Sequence, residues 1–188
     1  MPMQIYRGFD ALPVFRHPAV TVGSFDGVHR GHQALIKQLR AEAALLGGES
    51  VVLTFDPHPR VALGRAEGMQ QLTTLDEKLA LLERLGVEAV VVIPFDRAFS
   101  ALSGAEFVER ILLGKLGART LVAGFNHRFG HDCCRCEEAV AGRMKVVRVE
   151  ACEIDGEPVS SSHIRQLLTE GRQTDAETAA GHPLKQPC

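Results

Sequence analysis

Five short runs of apolar, β-branched residues punctuate the chain, at 19–22, 50–55, 89–93, 120–123 and 145–149. Each is nearly continuous in hydrophobicity, which predicts strands buried on both faces. Between them the apolar positions recur at helical spacing. Ala34, Leu35, Leu39, Ala43 and Leu46 define a first helix, which stops at Gly47 and Gly48. Thr74-Leu75-Asp76-Glu77 has capping-box spacing and opens a helix that ends at Gly86. Ser103-Gly104-Ala105-Glu106 repeats that signal for a helix ending near 114–117. A short helix is expected over 137–143. Another is expected over 164–170, capped by Ser160, Ser161 and Ser162 and stopped by Gly171. Residues 1–18 read as a lead-in with three prolines, and 60–71 as an irregular, mobile stretch. Strands that alternate with helices predict an α/β domain, with about five mainly parallel strands and helices on both faces.

In such sheets ligands sit beyond the carboxyl ends of the strands. The chemically rich segments all follow strands: 23–32, 55–59, 124–130 and, beyond the last strand, 160–165. They should converge on one cleft.

The most informative segment is Gly23-Ser24-Phe25-Asp26-Gly27-Val28-His29-Arg30-Gly31-His32. It joins a buried strand to a helix. Its glycines allow a tight turn, and the free N–H groups of the new helix favour an anion. His29 and His32 are three apart and share one side of the first turn. A cation there opposes the helix dipole unless an anion lies between. This reads as a phosphate clamp, with Gly31 leaving room for phosphate between the rings. The plain alternative is a glycine-rich turn followed by surface histidines; a metal pair is a second, without a third ligand nearby.

Ser160-Ser161-Ser162-His163-Ile164-Arg165 is the second signal. Its hydroxyls can cap backbone N–H groups or donate to phosphate oxygens. Arg165 on the first turn offers a bidentate fork.

Composition narrows the class. The 188 residues suit one domain, and a formal net charge of −2 gives no basic field for nucleic acid. No apolar run approaches the ~20 residues of a membrane span, and the N-terminus lacks a signal-peptide pattern. Five cysteines without a secretory signal point to a reducing cytoplasm.

Four motifs occur in order: Gly-x-Phe-Asp-Gly-x-His-x-Gly-His, Phe-x-Pro-His-Pro, Gly-x-Asn-x-Arg-Phe-Gly and Ser-Ser-Ser-x-Ile-Arg. Together they resemble the FMN adenylyltransferase module of bacterial bifunctional FAD synthetases (riboflavin kinase/FMN adenylyltransferase), in the nucleotidylyltransferase superfamily. The first alone marks only the superfamily. The resemblance spans roughly residues 15–185 and implies a Rossmann-like fold. It implies that His29, His32 and Arg165 are catalytic. It puts ATP against Gly23, Ser24, Phe25, Asp26, Gly31, Asn126, Ser160, Ser161 and Ser162, and the flavin against Phe55, Pro57, His58, Pro59, Arg128 and Phe129. The implied reaction is FMN + ATP giving FAD + pyrophosphate, with Mg²⁺ and no metal held by the protein itself.

The residue chemistry agrees. The FMN phosphate, with a second pKa near ~6, is its own ionised nucleophile and needs no general base. Asn126 occupies a position where Asp or Asn is expected, and Cys136 departs from the glycine expected there. Cys133-x-x-Cys136 could be half a zinc site with His131 and Cys152, but reduced surface cysteines are the expectation. The rival readings are transfer to another phosphorylated acceptor, a class I aminoacyl-tRNA synthetase fragment and a flavin-nucleotide binding module without turnover. The 23 residues after Arg165 are too few for a riboflavin kinase barrel, so residues 1–188 are expected to be a single adenylyltransferase domain.

Overall fold

The computed structural model describes residues 2–184. Six strands form one fully parallel sheet in the order β1-β4-β3-β2-β5-β8. They are β1 (Gln4–Arg7), β2 (Ala19–Val22), β3 (Ser50–Asp56), β4 (Ala89–Pro94), β5 (Thr120–Gly124) and β8 (Lys145–Val149). The sheet therefore has one strand more than the apolar runs predict. The lead-in contributes β1, which pairs with β4 from Gln4 opposite Ala89 to Arg7 opposite Val92. Gln4, Ile5 and Arg7 are exposed, as an edge strand permits, so no apolar run announces it.

Alternation along each strand splits the core in two. Val20, Val22, Val51, Leu53, Val91, Ile93, Leu121 and Ala123 face one side. There they meet α5 (Gly104–Phe107), its continuation over Val108–Leu113, and α6 (Cys136–Val140). Ala19, Val52, Val90, Val92 and Val122 face the other side, under α1 (Arg30–Leu45) and α3 (Leu75–Arg84). Helices thus cover both faces, as the sequence predicts.

Both capping boxes form. Thr74 accepts from the Glu77 amide while Glu77 accepts from the Thr74 amide, and Ser103 and Glu106 do the same. The second helix departs from regular α geometry after one turn: Val108–Leu113 is a π-helix, a widening for which the residue pattern gives no warning. Residues 60–71 are also less irregular than expected, because α2 (Pro59–Ala62) forms one turn after His58 caps it.

The short α4 (Arg97–Ser100) follows β4. Two small hairpins, β6 (Arg128–Phe129) with β7 (Cys134–Arg135) and β9 (Glu153–Ile154) with β10 (Glu157–Pro158), precede α6 and α7 (Ser161–Thr169) respectively. A third apolar cluster joins α7 to α8 (Gln173–Ala180) through Ile164, Leu167, Ala176 and Ala180. Strand β2 has β3 on one side and β5 on the other. The chain reverses its direction of travel there, which opens a crevice beyond the carboxyl ends of β2 and β5.

Candidate active site

The loop after β2 is wound tightly. Phe25, Gly27 and Val28 all have positive φ, at 49°, 80° and 37°. For a β-branched residue such as Val28 this is strained backbone, tolerated where surrounding contacts dictate it. Those contacts are visible. The carbonyls of Ser24, Asp26, Gly27 and Val28 are held by Thr54 Oγ1 at 3.2 Å, Ser161 Oγ at 2.8 Å, the His182 ring at 2.7 Å and Gln33 Nε2 at 3.0 Å.

Asp26 is the hub. It is 2% exposed. Its Oδ1 accepts from the Leu72 and Thr73 amides at 2.9 and 3.2 Å, and its Oδ2 pairs with the Arg165 guanidinium. Thr73 Oγ1 in turn accepts from the Gly27 amide at 3.0 Å. One carboxylate thus ties together the β2 loop, the segment before α3 and the first turn of α7. His29, His32 and Arg165 consequently belong to one region, as the convergence of loops predicts.

Two expectations about that region change. The rings of His29 and His32 stack face to face, with centroids 3.7 Å apart and planes 20° from parallel. No phosphate fits between them. Gly31 makes room for a ring instead: a Cβ there would lie 3.2 Å from His29 Cε1 and Nδ1. The Arg165 fork is also already divided, with Nε donating to the Gln70 carbonyl at 2.7 Å and an Nη to Asp26. Its remaining N–H groups point from a fixed head, so Asp26 orients the guanidinium rather than leaving it loose.

Burial holds both histidines neutral. Desolvation, aided by nearby His182, lowers the His29 pKa to about 4. Desolvation, with His29 and Lys78 adding to it, pushes His32 well below the ordinary imidazole range. The Nδ1 atoms of both are buried and have no hydrogen-bond partner. They retain donor or acceptor capacity that the protein itself leaves unspent.

The serines divide by role. Ser160 is the N-cap of α7, its hydroxyl accepting from the His163 amide at 3.1 Å. Ser161 donates to the Asp26 carbonyl, and Ser162 is exposed on the first turn. Two of the three thus do the capping and bracing work of the plain reading. Gly23 and Asn126 lie at the carboxyl ends of β2 and β5, flanking the crevice.

Against this polar corner stands an apolar cavity of about 530 Å³, lined by Val22, Phe55, Leu63, Phe95, Phe99, Phe107, His127 and Phe129 among others. Arg128 also borders it. Phe55, Phe95 and Phe99 pack edge to face or tilted with centroids 5.2–6.0 Å apart, and Phe107 continues the array to Phe129. Of the residues that the resemblance puts against the flavin, Phe55, Arg128 and Phe129 line this cavity. Pro57, His58 and Pro59 lead from β3 into α2, and the charges of Asp26, Lys78 and Arg165 act on His58, whose pKa burial lowers.

Motif reading alone missed Phe95, Phe99, Phe107 and His127. The aromatic spacing in α4 and α5 looks like ordinary core. His127 is held neutral, its pKa lowered to about 4 by desolvation and by Arg148. Its Nε2 is buried without a partner. Lys78 was missed as well, although a lysine interrupting the apolar stripe Leu75, Leu79, Leu82 is a legible signal. Among the described residues no group of three or more His, Cys, Asp and Glu is arranged to hold a metal ion. Cys133, Cys134, Cys136 and Cys152 are free thiols. Cys136 is buried, its Sγ donating to the His127 carbonyl at 3.3 Å, and desolvation raises its pKa to about 11.

Comparison with known proteins agrees with this geometry. The FAD synthetase family matches residues 13–163. A bifunctional riboflavin kinase/FMN adenylyltransferase of Listeria monocytogenes is 36% identical over 169 residues, 87% of this chain and 54% of that protein. Its namesake in Pseudomonas fluorescens is 37% identical over 189 residues, 97% of this chain and 60% of that protein. The chain thus spans a little over half the length of these curated relatives. A crystal structure from Streptococcus pneumoniae, titled a macrolide-efflux protein, superposes with a TM-score of 0.85 at 28% identity, covering 97% of this chain and 61% of that one. A pantoate-β-alanine ligase from Francisella tularensis shares the fold, with a TM-score of 0.58 at 13% identity over 94% of this chain and 86% of that one. With its four motifs gathered at one end of a parallel sheet and its match extending across most of its length, the chain belongs to the FAD synthetase family.

Proposed function

We propose that the chain transfers AMP from ATP to FMN, giving FAD and pyrophosphate. The observation that carries this reading is the adjacency of two unlike half-sites. A charged, hydrogen-bonded corner built on Asp26, His29, His32 and Arg165 lies at one end of the crevice. A cavity of about 530 Å³ walled by phenylalanines borders it at Val22, the residue before Gly23. The first suits phosphates and the second suits a flat tricyclic ring. The family match and the names of the relatives support it.

In this reading the FMN phosphate attacks the α-phosphorus of ATP in line. One P–O bond forms, the bond to the β-phosphate oxygen breaks, and pyrophosphate leaves. The nucleophile is already ionised at neutral pH, so no protein base is needed. His29 and His32 present N–H donors to the α-phosphate oxygens. An approaching anion favours their protonated form, so charge is supplied as charge develops. Arg165, aimed by Asp26, and exposed Ser162 hold the leaving phosphates. Asn126 and the Gly23-Ser24-Phe25 turn flank the nucleotide, while Pro57, His58 and Pro59 run on from Phe55 of the flavin side toward the charged corner. Magnesium enters with ATP as part of the substrate, and the protein's donors act on phosphate oxygens. The free thiols among the described residues suit a reducing cytoplasm.

The test is chromatography of FMN, ATP and Mg²⁺ incubated with the protein, beside reactions with other phosphorylated acceptors. FAD and pyrophosphate in equal amounts, from FMN and not from the smaller acceptors, are expected. Turnover of a small acceptor in preference to FMN assigns the site to a different substrate. Binding of FMN without pyrophosphate release reduces it to a flavin-nucleotide module.

A further inference from the structure

Lys78 interrupts the apolar face of α3 and is 5% exposed, a depth at which lysine is rare unless paired. An ammonium has three N–H donors. Among the described residues, the Lys78 ammonium meets one hydrogen-bond acceptor, Thr54 Oγ1 at 3.3 Å, and no carboxylate pairs with it. Thr54 itself donates to the Ser24 carbonyl at 3.2 Å, so the ammonium sits directly beneath the β2 loop. Asp26 and Asp56 act on it only from farther away. Asp26 is in any case committed to Arg165 and two amides. Desolvation disfavours the lysine's charge, and Lys78 in turn disfavours charge on His32.

An underpaired cation buried in a protein is costly. Here it lies within electrostatic reach of His32, which stacks on His29, and the Nδ1 atoms of both rings also have no partner. Three polar groups with unspent capacity therefore adjoin one loop and the helix start that follows it. We propose that Lys78 is a phosphate-binding residue, whose ammonium meets the phosphate oxygens brought to the His29–His32 pair and supplies the positive charge missing there. This rests on the reading of the adjoining loop as a site of phosphoryl chemistry. A purely structural lysine, kept to brace Thr54 and β3, is the alternative, and the two differ in sign.

Lys78→Met retains the apolar stem and removes the charge. Its melting temperature without ligand is expected to equal or exceed that of the wild type, because an apolar group replaces an underpaired cation. Its melting-temperature rise with inorganic pyrophosphate should fall to a fraction of the wild-type rise. Turnover of FMN and ATP should drop at least a hundredfold, and Lys78→Arg should recover part of both responses. A Met variant that melts below the wild type or fails to fold makes the lysine structural and overturns the proposal. So does a Met variant with the full pyrophosphate response and turnover within threefold of wild type. A wild-type protein that neither responds to pyrophosphate nor forms FAD overturns the reading of the loop itself, and Lys78 with it.

Discussion

The two halves of the crevice are built on opposite principles. The corner around Asp26 is made of groups already committed to one another. A single carboxylate binds two amides and a guanidinium, and four loop carbonyls have named donors. The cavity around Phe99 is held by shape: aromatic rings meet edge to face, and the space among them stays open. The corner positions its groups through directed hydrogen bonds, which suits the in-line displacement proposed for it. The cavity needs only to exclude water from a large flat surface. Substitutions on the two sides should therefore fail in different ways.

The largest effect is expected at the hub. Asp26→Ala leaves the Arg165 guanidinium unpaired and the Leu72 and Thr73 amides without their acceptor, which should cost about 3–5 kcal/mol of folding stability together with activity. Denaturant unfolding measures it, and a loss under about 1 kcal/mol would make the corner far looser than its geometry.

Next come the stacked histidines. His29→Ala or His32→Ala should lower turnover by roughly 10²–10³, about 3–4 kcal/mol in the barrier. A loss under tenfold at saturating ATP would leave them a positioning role at most.

On the other side, Phe99→Ala opens the aromatic array next to Phe55, Phe95 and Phe107. It should raise KM for FMN by roughly five- to thirtyfold, about 1–2 kcal/mol, with KM for ATP unchanged. Equal rises in both constants would merge the two half-sites into one.

The smallest effect is a pH dependence. His29 and His127 each have a folded-state pKa of about 4, against 6.5 for an exposed imidazole. Below 6.5 the unfolded chain binds protons that the folded one refuses. Their contribution to stability is therefore complete above pH 6.5 and is lost as the pH falls toward 4. Between pH 7 and pH 5 each should account for on the order of 1 kcal/mol. Unfolding free energies of His29→Gln and His127→Gln should show a flatter pH profile than wild type; parallel profiles would contradict the burial of these rings.

The sheet was legible in the sequence because β2, β3, β4 and β5 are buried on both faces and announce themselves as apolar runs. Strand β1 was not, because most of its residues face solvent and only its pairing to β4 makes it a strand. The polar corner was legible as motifs but not as a network. Ser160 reads as a phosphate donor and Asp26 as one more polar loop residue, yet the Ser160 hydroxyl caps the His163 amide and the Asp26 carboxylate holds Leu72, Thr73 and Arg165, partners that no local spacing reveals. The stacking of His29 on His32 was hidden for the same reason. Spacing puts both on one side of a turn but does not say that the rings stack 3.7 Å apart. The aromatic cavity was the least legible part, since Phe95, Phe99 and Phe107 come from consecutive elements whose sequences resemble ordinary core.

In the proposed function the corner activates the α-phosphate of ATP for attack by an acceptor seated in the cavity. The direct measurement follows the label from ATP carrying ³²P at the α- or the γ-position, incubated with FMN and Mg²⁺. The α-label is expected in FAD and the γ-label in pyrophosphate, both appearing roughly 10²–10³-fold more slowly with His32→Ala. Label from the γ-position appearing in a flavin product, or no transfer of α-label to flavin, would contradict it.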